Sequence, residues 1–178
     1  MASRVGRRVH GRSLRTLITR SRMSGSLSST FGPRRILVAT DFSSCSQYAL
    51  DYARAVAHAQ GARIVLHTSL DLPDPHSMVG GALKPMVDLA VVEKAANDRL
   101  QAEARRAQLG QMLVSTHVGR HRPEEEILRA AKEHGCDLVV MGTRGHTGVE
   151  RFVLGSVSGR IAASSKIPVL IVPPSVDD

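Results

Sequence analysis

DLVVMGTRGHTGVERFVLGSVSGRIAASS, at residues 137–165, is the stretch from which the expected architecture of this chain follows. Its opening apolar run is long enough for one buried strand. Gly142 ends that run, Gly145 comes three positions later, and a mostly polar segment leads to Gly155 and Ser156. Apolar residues then recur at helical spacing: Val157, Ile161 and Ala162. The segment predicts a strand, a glycine turn, a loop and a helix, in that order.

This order of elements favours an anion site. Glycine at a turn lets the backbone take a positive φ and bring its amides close to a ligand. A helix that begins at Ser156 adds amide donors without intrahelical partners and the positive end of its dipole. These features predict a phosphate cradle, while the residue pattern alone fits an ordinary structural loop equally well.

Four further apolar runs predict the remaining strands of an α/β domain. They lie at residues 35–40, 63–68, 111–118 and 167–172. Nearly continuous apolar runs of this length are typical of buried parallel strands. Five strands alternating with four helices predict an open parallel sheet with helices on both faces.

Local signals mark the first helix clearly. Ser44 and Gln47 have the spacing of a capping box, and Gly61 has the place of a C-terminal glycine. The expected buried face is Ala49, Tyr52, Ala53, Val56 and Ala57.

Two later helices carry weaker signals. One is expected from Leu89 to about Leu109, where Gly110 closes it, and another begins at Pro123. The apolar face of the earlier helix is Leu89, Val92, Ala96 and Leu100. Its charged residues predict a solvated face: Arg99, Glu103, Arg105 and Arg106.

Few polar residues along these strands suggest chemistry. Asp41 directly follows the first strand, where open α/β sheets place ligand-binding residues, although a solvated strand-end acid is the alternative. His67 is expected to be a packed or surface residue. His117 and His121 are four apart, but a strand and Gly119 separate them, so we do not expect a zinc site.

Two motifs resemble the universal stress protein family. The spacing Gly-x2-Gly-x9-Gly-Ser from Gly142 to Ser156 is similar to the nucleotide signature of the branch that holds ATP. VATDFS, at residues 38–43, is similar to the family's first-strand signature. The resemblance spans residues 34–173 and implies the strand order 3-2-1-4-5. In that order the first and fourth strands are neighbours, and a ligand crevice opens between their ends.

The resemblance also implies the surroundings of the base and ribose. Asp41 is expected to hold the ribose or the base beside Ala39 and Thr40. The backbone of Thr68 is expected to contact adenine, and Met141, at the end of the fourth strand, is expected to contact the nucleotide.

The phosphates are expected to be held by amides. Those for the inner phosphates are Gly142, Thr143, Arg144 and Gly145. Those for the outer phosphates are Gly155, Ser156 and Val157, with the Ser156 hydroxyl as a further donor. The Arg144 side chain either reaches a phosphate or is solvated. Mg²⁺ or Mn²⁺ would bridge the phosphates without a carboxylate cage.

The resemblance favours a regulatory nucleotide over a substrate. No Walker lysine precedes Ser156, so any ATP hydrolysis is expected to be slow and no catalytic residue is assigned. One alternative is a dimeric protein-interaction module with an empty nucleotide site and partners chosen by residues 69–85. Another is an anion-binding enzyme for a different phosphorylated substrate.

The last strand is expected at a sheet edge, because Pro168 lacks an amide donor. A short apolar edge needs cover. The resemblance supplies it as a homodimer that pairs through Val169, Leu170, Ile171 and Val172.

Charge is concentrated before the domain. The chain has 178 residues and a net charge of +8, and residues 1–22 hold seven arginines and no acid. The remainder has 17 basic against 16 acidic residues, which makes nucleic acid an unexpected partner. We expect residues 1–32 to be a disordered basic tail before a domain at residues 33–175.

The tail leaves the start and the location of the protein open. Translation from Met23 is the favoured interpretation, with an organellar transit peptide and a basic binding arm as alternatives. Two distant cysteines and no long apolar run predict a cytoplasmic protein that does not cross a membrane.

Overall fold

The computed structural model describes residues 32–70, 88–143 and 154–174 of the chain. The strands are β1 Arg35–Ala39, β2 Arg63–Ser69, β3 Leu113–Gly119, β4 Leu138–Gly142 and β5 Val169–Val172. The helices are α1 Ser44–Gln60, α2 Leu89–Arg106, α3 Pro123–Glu133 and α4 Ser156–Ser164, with a short 3₁₀ turn at Gly110–Met112.

The five strands form one parallel sheet in the order β3-β2-β1-β4-β5. This confirms the predicted α/β class, the strand order and the edge position of β5. Alternate residues of the strands point to opposite faces, so two separate apolar layers form. One packs α1 and α2 around Ile36 and Val38, and the other packs α3 and α4 around Leu37 and Val139.

The N-cap residue of α1 is one position earlier than expected. Ser43 is the N-cap, and its hydroxyl accepts a hydrogen bond from the Ser46 amide at 3.2 Å. The predicted capping box of Ser44 and Gln47 is therefore wrong. The C-terminus is as predicted, because Gly61 takes the left-handed conformation at φ 66°.

The buried face of α1 is narrower than predicted. Ala49, Ala53 and Ala57 are fully buried, but Tyr52 is 47% exposed and Leu50 is buried instead. Tyr52 lies about 100° around the helix from Ala53, the centre of the alanine stripe, because successive residues turn by about 100°.

The other helices need smaller corrections. The second helix ends at Arg106 rather than near Leu109, and Leu89 is largely exposed. Pro123 is the first residue of α3, as predicted. In α4, Ala162 is exposed and Ser158 is buried, because the Ser158 hydroxyl bonds backbone carbonyls at the start of the helix.

Candidate functional site

The predicted crevice lies where the connections from two neighbouring strands leave on opposite sides of the sheet. The pairing of Ala39 with Met141 brings the ends of β1 and β4 together, with Thr40 and Gly142 as the next residues. From there α1 packs on one face and α4 on the other. Ligands of open α/β sheets bind at such a point.

The turn after β1 is held by side chains. The Thr40 hydroxyl bonds the Ser46 hydroxyl at 2.9 Å and accepts the Phe42 amide at 3.0 Å. Asp41 Oδ1 accepts the Ser43 amide at 3.1 Å and the Ser43 hydroxyl at 2.6 Å. The same Ser43 hydroxyl caps α1, so the helix start and the Asp41 carboxylate are fixed together.

Gly142 is required for close packing. A Cβ atom at this position would lie 2.8 Å from Cys45 Sγ and 3.2 Å from the Cys45 carbonyl carbon and oxygen. Its φ is not positive, and Gly155 has φ −61°. The expectation of positive φ is therefore wrong for both residues. The absence of a side chain at Gly142 lets the first turn of α1 approach the end of β4.

The backbone of Thr143 joins β4 to the start of α4. Its amide donates to the Val172 carbonyl at 2.9 Å. Its carbonyl accepts the Gly155 amide at 2.8 Å and the Ser158 hydroxyl at 3.0 Å. The amides of Thr143 and Gly155, both predicted phosphate donors, are thus engaged within the protein in this conformation.

The first turn of α4 keeps two other predicted donors. Ser156 and Val157 are its first residues, so their amides have no acceptor one turn earlier within the helix. The N-cap Gly155 offers no side-chain oxygen, and the first turn contains no acidic residue.

The other helices satisfy this position themselves. Ser43 caps α1 and Asp88 caps α2 through side-chain oxygens. Pro123 and three following glutamates occupy the first turn of α3. Among the four helices of the described ranges, α4 alone has neither a side-chain cap nor an acidic first turn.

The end of β2 lies beside the end of β1. The Thr40 amide donates to the His67 carbonyl at 2.8 Å, and the buried Thr68 follows. Ala39 and Met141 are also buried and belong to the layer beneath α3 and α4. The structure therefore brings together the predicted base-side residues. Arg144 and Gly145 lie outside the described residues.

A histidine pair that we did not predict lies next to this edge. His67 is fully buried, its Nδ1 is 3.0 Å from Nδ1 of His117, and its Nε2 is 2.8 Å from the Ser69 hydroxyl. Burial and the neighbouring His117 lower the pKa of His67 from 6.5 to about 3. Burial, with nearby His134, also lowers the pKa of His117. The sequence could reveal this pair only through the register of β2 and β3.

Two classes of site or segment are absent from the described part of the chain. No group of three or more His, Cys, Asp or Glu side chains in residues 32–70, 88–143 and 154–174 could hold a metal ion. No helix within these ranges is long and apolar enough to cross a membrane.

Comparison with known proteins agrees with this geometry. The model of the universal stress protein family matches residues 32–173. A universal stress protein of Thermus aquaticus is 36% identical over 142 residues, which cover 78% of this chain and 98% of the relative. Universal stress protein YxiE of Bacillus subtilis is 33% identical over 144 residues, covering 78% and 97%.

A solved structure shares both sequence and fold. It is a universal stress protein in complex with cAMP, 25% identical, with a TM-score of 0.57. The match covers 82% of this chain and 100% of that chain.

Proposed function

The chain belongs to the universal stress protein family, and we propose that it binds an adenine nucleotide between β1 and β4 as a regulatory ligand. ATP is the nucleotide that the glycine spacing favours. The similar protein solved with cAMP supports an adenine nucleotide more broadly.

The observation that carries this proposal is the attachment of α4 to the end of β4. The Thr143 carbonyl accepts the Gly155 amide, which fixes the helix start beside Gly142. The positive end of the helix dipole and two amides then lie at the crevice. A phosphate at the start of α4 would accept hydrogen bonds from these amides. No capping side chain competes for them, because the N-cap residue is Gly155.

The base side of the crevice supports the same ligand. Asp41 is held by Ser43, and in the proposed complex its carboxylate would bind a ribose hydroxyl or the base. The adenine would lie by the adjoining ends of β1 and β2, near Thr40 and Thr68. Thr40 donates its own amide to His67, so its contribution would be through other atoms.

On the phosphate side, the proposed site uses fewer amides than the sequence predicted. Ser156 and Val157 would supply the principal amides, with the Ser156 hydroxyl as a third donor. Gly142 would contribute indirectly, because the absence of its side chain lets the first turn of α1 lie against the end of β4. The amides of Thr143 and Gly155 would contribute only if their present hydrogen bonds opened. Arg144 and Gly145 remain part of the proposal.

Mg²⁺ or Mn²⁺ would enter with the nucleotide, bridging its phosphates rather than binding a preformed cluster of protein ligands. A protein of this kind responds to the nucleotide without needing to transfer a phosphoryl group. We place it in the cytoplasm, where the free thiols of Cys45 and Cys136 would stay reduced.

A proline substitution tests the phosphate assignment. Ser156→Pro removes one amide and one hydroxyl, while proline is well tolerated at the first helical position. Gly155 already has ψ 156°, which suits a residue before proline. We expect isothermal titration to show a Kd for Mg·ATP that is about 10- to 100-fold higher, because hydrogen bonds to charged groups contribute about 1.5–3 kcal/mol.

Leu89→Pro is the matched control, because it places proline at the same position of α2. It should leave the Kd unchanged. Ser156→Ala separates the hydroxyl from the amide. Equal affinity of wild type and Ser156→Pro would contradict the phosphate assignment, and absence of binding to wild type by ATP, ADP, AMP and cAMP would contradict the function.

A dimer is the second part of the proposal, and β5 is the observation that favours it. Pro168 and Val172 direct their carbonyls to β4, so the alternate residues Val169 and Ile171 direct their backbone groups away from it. This apolar edge would pair with the same strand of a second copy. A dimeric interaction module with an empty crevice remains the alternative if nucleotide does not bind.

A further inference from the structure

A row of side chains on α2 contacts α1 and the turn before it. Arg106 Nη1 lies 3.0 Å from Asp51, and Glu103 accepts the Gln47 side-chain amide at 2.9 Å. Arg99, one turn further toward the start of α2, lies over the ring of Phe42 at 4.0 Å. The sequence predicted that these three residues are solvated, but each of them contacts α1 or the turn before it. They hold one face of α2 along α1 as far as the crevice.

Phe42 has an unusual backbone for its residue type. Its φ is +67°, in the left-handed region that bulky side chains rarely adopt. Its ring packs on the apolar layer beneath α1 and α2, and its amide donates to Thr40. Strained residues persist where their surroundings hold them, and they cluster at functional sites.

Phe42 lies between a residue of the proposed nucleotide site and the residue that holds it by hydrogen bonds. Asp41 precedes it, and Ser43, which fixes the Asp41 carboxylate, follows it. A change in the Phe42 backbone would therefore move the carboxylate relative to the end of β1. Among the described contacts, Arg99 of α2 touches Phe42 at its ring.

We propose that Arg99 is a positioning residue for the nucleotide site: by stacking on Phe42 it holds the turn that aims Asp41 into the crevice. The inference rests on the proposed function and adds a residue of α2 to the site. Arg99 acts through Phe42 and does not itself touch the nucleotide.

The guanidinium suits this task. Its planar, weakly hydrated group stacks on aromatic faces, which an ammonium does less well. Without it, the strained turn would lose its contact with α2 through Phe42 and keep those of Thr40, Ser43 and the apolar packing. We expect Arg99→Ala to raise the Kd for Mg·ATP about two- to fivefold, the value of a cation–π contact at an exposed site.

The test measures the Kd of the full chain for Mg·ATP by calorimetry. Arg105→Ala is the matched control, because Arg105 is exposed on the same helix, carries the same charge and lies about 120° around the helix axis from Arg99. Phe42→Leu keeps an apolar side chain but removes the aromatic face. Phe42→Gly, which also relieves the positive φ, replaces it if the leucine variant does not fold.

The proposal predicts that Arg99→Ala weakens binding and that Arg105→Ala does not. In the Phe42→Leu background, Arg99→Ala should have no further effect, and Arg99→Lys in wild type should restore part of the affinity. An Arg99 effect of equal size in both backgrounds would show direct action on the ligand and overturn the proposal. A lower Tm with unchanged Kd would overturn it as a merely structural contact.

These outcomes are separate from the fate of the proposed function. If wild type binds Mg·ATP and Arg99→Ala binds equally well, only the positioning role fails. If wild type binds no adenine nucleotide, the function fails and the positioning role fails with it.

Discussion

At the scale of single residues, Gly142 connects the packing of the fold with the proposed phosphate site. A methyl group there would meet both the thiol and the backbone of Cys45. The thiol can rotate away, but the backbone of α1 cannot move without displacing Ser43 and Ser46. Gly142→Ala should therefore lower the free energy of unfolding by about 1–3 kcal/mol, the usual cost of overpacking. Urea denaturation measures this change.

Two variants make the Gly142 prediction specific. Cys45→Ala in the Gly142→Ala background should restore part of the stability, because it removes the 2.8 Å contact with Sγ and leaves the 3.2 Å contacts. Gly159→Ala should instead stabilise by about 0.5–1 kcal/mol, since it lies inside α4 and its Cβ would meet Leu154 at 3.6 Å. Equal stability of wild type and Gly142→Ala would contradict the packing argument.

The positions of Gly142 and Asp41 at the ends of two strands could be predicted from the sequence, since each comes at the end of an apolar run. The physical reason at Gly142 could not, because the close contact comes from Cys45, 97 positions earlier in the sequence. The hydrogen-bond partners of the Thr143 and Gly155 amides could not be predicted from the sequence either. Their glycine-rich pattern predicts donors, but only the fold reveals that Val172 and Thr143 already accept them.

At the scale of elements, β2, β3 and α3 enclose the histidine pair. His67 and His117 face each other through Nδ1 atoms, so only one of the two atoms can carry the proton of their hydrogen bond. A second proton would set two N–H groups against each other. Glu126 is buried nearby and forms an ion pair with Arg129; its charge opposes the lowering of the His117 pKa but does not outweigh burial.

This pair predicts acid sensitivity of stability. The folded pKa of His67 is lowered from 6.5 to about 3, so its contribution is complete above pH 6.5 and is lost as pH falls toward 3. The lowered pKa of His117 acts in the same direction. We expect the free energy of unfolding to fall by about 1.4 kcal/mol per pH unit from His67 below pH 6.

Chemical denaturation between pH 7 and pH 5 checks this slope before most carboxylates titrate. His67→Gln should flatten it, because an amide can bond His117 and Ser69 without titrating. His58→Gln, at an exposed position near the end of α1, is the control and should leave the slope unchanged. A wild-type slope that survives His67→Gln would contradict the assignment.

Elements themselves were predictable where the local signal was strong. Apolar runs gave all five strands, Pro123 gave the start of α3 and Gly61 the end of α1. The cap of α1 and the exposure of Tyr52 were mispredicted, because neighbouring serines compete for the cap and helical spacing leaves the width of the buried stripe open. The register that pairs His67 with His117 carries no local signal.

At the scale of the whole molecule, β5 leaves one side of a short apolar strand without a partner strand in the described part of the chain. Ile171→Pro should weaken the proposed dimer, because it removes an outward amide without breaking the ladder to β4. Light scattering after size-exclusion chromatography measures the mass. Ile171→Ala is the control for the lost side chain and should remain dimeric. A wild-type monomer would contradict the dimer.

The proposed function requires an adenine nucleotide in the crevice between β1 and β4. The most direct measurement is a nuclear magnetic resonance titration of the backbone amides with Mg·ATP. We expect the amides of Asp41, Ser156 and Val157 to shift together with one Kd, while that of Ala90 in α2 does not. Shifts confined to other parts of the sheet, or no shifts at all, would contradict it.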